Sequence, residues 1–199
     1  CFAGEAIHRY AMAKRKGVPP MALLYPATKD SMYASWALCR SWGQMYTGAG
    51  EIGSELYDKP YRDFEKVYGR YLDAPEKKGD VSFYFSECTR DYSDKDAPQK
   101  YMKPFMSYLE SAYVSGLTCD MVFCSDTMET LSSSPAIAVV SVAMIGDTEI
   151  AKLRSYAENG GRMLLFGSFA LKKDDGSLRS LNEGLEKLGL RSRLVEKQY

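Results

Sequence analysis

The chain has 199 residues, and its 26 lysines and arginines balance its 26 aspartates and glutamates, so the formal net charge is zero. Hydrophobic residues make up 45% of the chain and charged residues 26%, which is typical of an ordinary globular protein. Balanced charge argues against nucleic acid or an anionic membrane as a partner, because both attract uncompensated positive charge. No stretch reaches the roughly 18 consecutive apolar residues of a membrane span, so we expect no membrane segment.

Five cysteines and a single histidine limit the metal and redox chemistry that we expect. The cysteines form no CxxC pair and the only histidine is His8, so the spacing predicts neither a metal site nor another cofactor. Free thiols are typical of a reducing compartment, which favours a cytoplasmic location. Because the chain begins with Cys1 rather than methionine, a cleaved leader and a secreted or periplasmic location stay open.

The first part of the chain predicts three helices and a single strand. A helix over 4–16 ends at Gly17, where a left-handed backbone suits glycine. Prolines bound a short strand over 19–26, which we expect to be buried. A second helix covers 30–46, a glycine-rich loop covers 47–60, and a third helix covers 61–72. A lone strand cannot form a sheet, so this part needs another partner for its strand.

A short polar segment, 73–80, contains a proline and is the predicted linker between this first part and a second unit over 81–199. Strands and helices alternate in the second unit. Strands are predicted over 81–86, 118–124, 136–144 and 162–167, with helices over 97–116, 125–131, 146–161 and 180–190. Such repeats build an open parallel sheet, so we predict an α/β, flavodoxin-like, three-layer fold.

Two helices of the second unit carry more detailed expectations. Tyr101, Phe105, Tyr108 and Ala112 have the spacing of one apolar helix face, and Pro104 indicates either a kink or a first-turn proline. Gly116 then ends that helix. The helix over 146–161 is predicted to be capped by Asp147, to have Glu149 at the positive end of its dipole, and to bury three residues, Ile150, Leu153 and Ala157.

Chemistry in such a sheet is expected at the carboxyl ends of the strands, where Ser168 follows the fourth strand. A serine nucleophile needs a base, but no histidine follows Ser168, and the second glycine of a G-x-S-x-G elbow is absent. We therefore interpret Ser168 as a turn residue. Loop carboxylates show no spacing that selects a catalytic pair.

Two further patterns bear on ligand binding. Gly48 to Gly53 has the spacing of G-x-G-x-x-G, but we expect it to follow a helix rather than a strand, which argues against a dinucleotide site. Trp36, Trp42 and Glu51 could contact a sugar, although the sequence favours packing in a core or an interface for the two tryptophans.

Residues 80–190 resemble the middle domain of family 42 β-galactosidases, the so-called trimerisation domain, which has a class I glutamine-amidotransferase-like fold. The resemblance rests on a set of matching positions: Phe85-Ser86, Thr89-Arg90-Asp91, Gly116, an acidic loop, the apolar third strand, Asp147 and Gly160-Gly161. It implies that residues 1–72 are similar to the end of the preceding (β/α)₈ barrel. Ser168 would stand at the position of the amidotransferase cysteine, as a degenerate nucleophile position. The hydrolase nucleophile would fall near 24–26, where this chain has no glutamate.

The resemblance implies a non-catalytic oligomerisation and accessory domain of a glycoside-hydrolase-like protein, with a homo-oligomer, possible as a trimer, as the expected assembly. Carbohydrate would then bind to the barrel of the parent protein. Two alternatives stay open. The fragment could contribute sugar-contacting residues to an active glycoside hydrolase, or it could bind a small molecule at the ends of its strands.

Overall fold

A computed structural model of the chain describes residues 3–48, 54–69, 79–92 and 98–190. The chain divides into two compact units, residues 1–77 and 78–199. Most of the predicted linker over 73–80 lies outside the described residues. No helix in the described part is both long and apolar enough to cross a bilayer.

The described residues of the first unit form three helices and two strands, in the order α1 (Ala3–Lys16), β1 (Met21–Leu24), α2 (Lys29–Ser41), β2 (Met45–Gly48) and α3 (Ser54–Tyr68). The sequence prediction missed β2, because the second helix ends at Ser41 rather than continuing to residue 46. Gly43, with φ of +62°, turns the chain in a conformation that other residues rarely adopt. Helix α3 also begins earlier than predicted, at Ser54.

Strands β1 and β2 pair in parallel, with Met21 opposite Met45. Only one face of β1 is buried: Ala22 is 1% exposed, whereas Met21 is 60% and Leu23 47% exposed. The expectation of a fully buried strand is therefore wrong for the face that carries Met21 and Leu23. Alternate side chains point to opposite sides of a strand, so helices cover one side and leave the other apolar side open.

The second unit alternates strands with helices, in the order β3 (Val81–Phe85), α4 (Glu87–Tyr92), a π-helical turn (Pro98–Met102), α5 (Lys103–Val114), β4 (Cys119–Phe123), α6 (Met128–Ser132), β5 (Ala136–Val140), α7 (Asp147–Glu158), β6 (Arg162–Phe166) and α8 (Glu183–Lys187). Its four strands form one parallel sheet in the order β4-β3-β5-β6. This confirms the predicted α/β, flavodoxin-like layered fold. The apolar strand β5 is buried as expected, with its residues from Ile137 to Val140 at most 1% exposed.

Helix α5 covers one side of this sheet with an aromatic core. The ring of Phe105 lies 6.0 Å from that of Phe83 and 5.5 Å from that of Phe85. Tyr101, Phe105 and Leu109 are fully buried, but Tyr108 is 43% exposed. The predicted apolar face was therefore partly wrong, because the buried side chains follow the spacing i, i+4 and i+8. Pro104 lies in the first turn, one of the two alternatives that the sequence left open.

The opposite side of the sheet is covered by α7, which buries Ile150 and Leu153 as predicted. Tyr156 is also buried there, whereas Ala157 is only half-buried. The hydroxyl of Tyr156 donates to the backbone carbonyl of Ser134 at 2.8 Å. Hydrogen bonding of this kind lets a tyrosine fill a core position that the apolar pattern alone does not reveal.

Candidate functional site

The strand order reverses between β3 and β5, and in open α/β sheets ligands bind at the carboxyl ends of strands at such a reversal. Here the chain's own polar groups occupy that place. The Ser86 hydroxyl donates to Thr89 Oγ1 at 2.9 Å, and Thr89 Oγ1 donates to the Met144 carbonyl at 2.8 Å. The backbone N–H of Met144 donates back to Thr89 Oγ1 at 3.1 Å. Ser86 and Thr89 are at most 1% exposed, so these bonds tie β3 to the loop after β5.

Tyr84 and Glu149 form a second connection beside this network. The Tyr84 hydroxyl donates to Glu149 Oε2 at 2.5 Å, which joins β3 to the first turn of α7. Burial raises the pKa of Glu149 above its ordinary value, against the opposing effects of the Tyr84 hydrogen bond and the Lys152 charge. Lys152 donates to the carbonyls of Cys124 and Asp126, at 3.0 and 2.8 Å. Its ammonium group therefore secures the loop after β4.

Two cysteines lie at the same edge of the sheet, Cys88 in α4 and Cys124 after β4. Burial raises the pKa of both thiols, with nearby carboxylates adding to the effect. A thiol with a raised pKa is mostly protonated at neutral pH and is a weak nucleophile. No group of three or more His, Cys, Asp and Glu side chains in the described ranges is arranged to hold a metal ion.

The long loop over 167–182 folds across the ends of β5 and β6. The N–H of Ala170 donates to the carbonyl of Val142 at 2.8 Å, and the N–H of Lys172 donates to that of Ala143 at 3.0 Å. Lys172 also forms an isolated antiparallel β-bridge with Leu178. These backbone bonds make the loop a cover over the strand ends.

Arg179 anchors this cover from inside. Its side chain is 0% exposed, and its guanidinium lies 2.5 Å from Asp147 and 3.3 Å from Glu183. It also donates to the carbonyl of Ile145 at 2.7 Å. The sequence offered no signal for a buried arginine in a loop of polar residues, because only the folded loop brings its partners together.

Asp147 does not cap α7 as predicted, because the cap residue is Gly146 and no side chain completes the cap. Asp147 stands instead in the first turn and binds two cations, with Lys187 at 2.5 Å in addition to Arg179. Lys187 and then Arg179 hold the pKa of the Asp147 carboxyl below its ordinary value. The carboxylate therefore joins α7 to α8 and the covering loop.

Ser168 is an exposed residue of this loop, directly after Gly167 with φ of +72°. Ser141, directly after β5, has a left-handed backbone with φ of +52°, which is strained for a residue other than glycine. Its N–H donates to the Phe166 carbonyl at 2.7 Å, which holds β5 and β6 together beyond their last paired residues. Sequence reasoning missed Ser141, since nothing in the apolar run around it indicates a left-handed backbone.

The sugar-contact candidates do not form one site in the described residues. Trp36 is half-buried on α2, where its Nε1–H donates to Glu65 Oε1 at 2.6 Å and its ring lies 5.0 Å from that of Tyr61. Trp42 is 3% exposed and belongs to the core of the first unit. Glu51 lies outside the described residues.

The glycine run from Gly48 to Gly53 has a different context from the one that the sequence suggested. It follows strand β2 rather than a helix, and α3 begins directly after it at Ser54. Residues 49–53 lie outside the described residues. In the described part of the first unit no strand follows α3, whereas a dinucleotide site needs a β-α-β unit.

Comparison with known proteins gives matches in structure alone. No family model and no curated protein matches the sequence. The solved structure of Gan42B, a GH42 β-galactosidase from G. stearothermophilus, matches 92% of this chain and 32% of its own, with a TM-score of 0.67 and 10% identity. The cold-adapted β-galactosidase of Rahnella sp. R3 matches 88% of this chain and 31% of its own, with a TM-score of 0.65 and 10% identity.

A third structure, the β-galactosidase of Bifidobacterium adolescentis, matches 59% of this chain and 56% of its own, with a TM-score of 0.50 and 14% identity. The chain thus spans about a third of the first two enzymes and just over half of the third. At these identities the likeness concerns the fold. Most of this chain therefore has the fold of a segment of GH42 β-galactosidases.

Proposed function

We propose that this chain is a non-catalytic accessory and oligomerisation region of a glycoside-hydrolase-like protein. The observation that carries the proposal is the closure of the strand ends. The hydroxyl groups of Ser86 and Thr89 and the backbone of Met144 hydrogen-bond to one another where a ligand would bind. Arg179 anchors the loop that covers the ends of the neighbouring strands. Because Ser86, Thr89 and the Met144 backbone bond to one another, none of these three groups is directed at a substrate. The same closure argues against small-molecule binding at the strand ends.

The first unit supports the link to a barrel. Its two parallel strands have helices on one side and expose Met21, Leu23 and Met45 on the other, with 47% to 60% of each residue exposed. A two-stranded sheet is marginal by itself, and parallel sheets normally have both faces buried. We therefore propose that residues 1–72 are the end of a (β/α)₈ barrel, whose interior those side chains face. The fold likeness to longer GH42 enzymes is in keeping with this proposal.

Self-association is supported by exposed leucines in the covering loop. Leu178 is 78% exposed, Leu181 56% and Leu171 43%. Leu171 and Leu178 lie on paired segments, since the N–H of Arg179 donates to the carbonyl of Leu171 at 3.0 Å. Exposed apolar surface of this kind favours association, because burial removes it from water. We propose a homo-oligomer that buries these leucines.

Sedimentation of the full chain over a range of concentrations tests this assembly. We expect Leu178→Asp to weaken self-association, because a charge at a buried contact must be desolvated. The matched control is Val114→Asp at the end of α5, where the valine is 76% exposed, and it should leave the association unchanged. A wild-type chain that stays monomeric at high concentration contradicts the oligomerisation proposal.

Hydrolysis of a chromogenic β-galactoside by the full chain tests the non-catalytic part. We expect no release of the chromophore above the uncatalysed rate. Turnover that disappears in Ser168→Ala would contradict the proposal, because it would make Ser168 a working nucleophile.

A second candidate function, sugar contact within an active hydrolase, is favoured by the surroundings of Trp36. Its half-exposed ring lies 6.2 Å from that of Tyr33, which is 60% exposed. A galactose-containing oligosaccharide should then quench tryptophan fluorescence in the wild type and in Trp42→Phe, but not in Trp36→Phe. Absence of quenching in the wild-type chain contradicts this candidate.

A further inference from the structure

A cavity of about 410 Å³ lies beside α5, on the side of the sheet opposite α7. Two small residues of β5, Ala136 and Ala138, contribute to its lining, together with the rings of Phe83, Tyr108 and Phe166. The rings of Tyr108 and Phe166 are 4.7 Å apart, which joins the helix to β6 at one end of the cavity. Small-molecule sites usually measure about 300–1,000 Å³, so the space suits a compact ligand.

The cavity exists because α5 covers only part of this side of the sheet. The buried row of α5 ends at Leu109, which leaves Tyr108 at the margin of the helix and 43% exposed. Next to it, Leu164 of β6 is 49% exposed although it stands in the middle of a strand. Leu117, before β4, is 44% exposed and also lines the cavity. The cavity therefore offers apolar side chains that no helix of the described residues covers.

Of the described residues that line the cavity, only Asp80 is charged. The N–H of Thr118 donates to Asp80 Oδ2 at 2.8 Å, which holds the carboxylate in place before β3. Ser111 of α5 and Ser115, the residue that caps its C-terminal end, add hydroxyl groups to the lining. Among the described residues the lining is apolar, with one carboxylate and no cation, and it complements a ligand that combines an apolar body with a positive charge.

We propose that this cavity binds a compact apolar amine, a molecule with one aromatic ring or branched aliphatic chain and one protonated amino group. The apolar body displaces water from Leu164, Leu117 and Tyr108, each 43% to 49% exposed, which supplies most of the affinity. The ammonium group pairs with Asp80 and selects against neutral and anionic molecules of the same shape. This inference is independent of the proposed function, since it uses neither the strand ends nor the covering loop.

Calorimetric titration of the full chain with phenethylamine, phenylethanol and phenylpropionate tests the proposal. These probes share the ring and differ in charge. We expect the amine to bind about threefold more tightly than the alcohol, the modest gain that an exposed ion pair supplies. The acid should bind most weakly. Asp80→Asn should remove the preference for the amine while retaining the binding of the alcohol.

A matched pair of substitutions locates the site. Ala112→Leu adds a side chain to the cavity from the half-buried side of α5 and should lower the affinity for phenethylamine at least tenfold. Ala151→Leu, on the exposed side of α7, should leave it unchanged. As a measurement that needs no variant, methyl signals of Ala136, Ala138 and Leu164 should shift as phenethylamine is added.

Three results would overturn the proposal. Equal binding of the three probes would exclude recognition of charge by Asp80. Binding that survives Ala112→Leu, or that shifts none of the three methyl signals, would place the amine elsewhere. Failure of phenethylamine to bind, together with a loss of self-association in Ala112→Leu, would identify a second copy of the chain as the occupant.

Discussion

The two units of the chain differ in how completely they bury their sheets. The second unit has four parallel strands, with α5 on one side and α7 on the other, and the residues of β5 from Ile137 to Val140 are at most 1% exposed. The first unit has two parallel strands and leaves Met21 60% exposed. Both units repeat a strand followed by a helix. This pattern buries a sheet almost completely only where enough strands pair side by side for helices to cover them.

The largest difference is expected in the aromatic cores. Phe105→Ala removes a fully buried ring from the second unit and should lower the free energy of unfolding by about 3–5 kcal/mol. The matched change in the first unit is Phe64→Ala, where the ring is 44% exposed and the cost should be about 1 kcal/mol or less. Urea unfolding followed by far-UV circular dichroism measures both. Equal losses would mean that the two units are equally well packed.

The buried arginine of the second unit should give the next largest effect. Arg179→Leu removes the side-chain donor to the carbonyl of Ile145 and leaves Asp147 with Lys187 as its remaining cation, and should cost about 2–3 kcal/mol. Arg40 in the first unit pairs with Glu65 but is partly exposed, so Arg40→Leu should cost about 1 kcal/mol or less.

Thermal unfolding compares the two arginine variants, with Arg154→Leu on the exposed side of α7 as the control for loss of a surface ion pair. If Arg179→Leu unfolds at the temperature of Arg154→Leu, the loop over 167–182 is not held by Arg179.

The smallest expected effect is a change in the pH dependence of stability. Burial raises the pKa of Glu149 above its ordinary value of 4.5. The folded chain therefore binds this proton more tightly than the unfolded chain. The stabilising contribution of the protonated carboxyl is present below the unfolded pKa and is lost as pH rises through the folded pKa.

Glu149→Gln keeps an acceptor for the Tyr84 hydroxyl and should flatten the fall in unfolding free energy from about pH 4.5 upward. Denaturant midpoints at a series of pH values measure it. Glu158→Gln, on the exposed end of the same helix, should retain the fall. An unchanged slope in Glu149→Gln would show that the carboxyl titrates as it does in the unfolded chain.

Much of the second unit was predictable from local pattern. The apolar run at β5 predicts a strand buried on both sides, and the alternation of strands with helices predicts a parallel sheet. Gly17 and Gly116 end their helices with φ of +62° and +88°, as expected. The failures share a cause. The sequence pattern assigns Met45 and Tyr46 of β2 to the end of the second helix. Only pairing with β1 selects the extended form.

The hydrogen bonds at the strand ends depended most strongly on the tertiary structure. Local composition marks Ser86, Thr89 and Arg179 as ordinary polar residues of loops and helix starts. The backbone carbonyls that they bind, those of Met144 and Ile145, stand between 34 and 58 positions away in sequence, in the loop after β5. The amino-acid pattern was sufficient for the elements and the layered fold, because helix and strand periodicity is local. Closure of the strand ends and the shape of the cavity beside α5 arose only when distant segments met, because hydrogen-bond partners and packing gaps depend on positions in space.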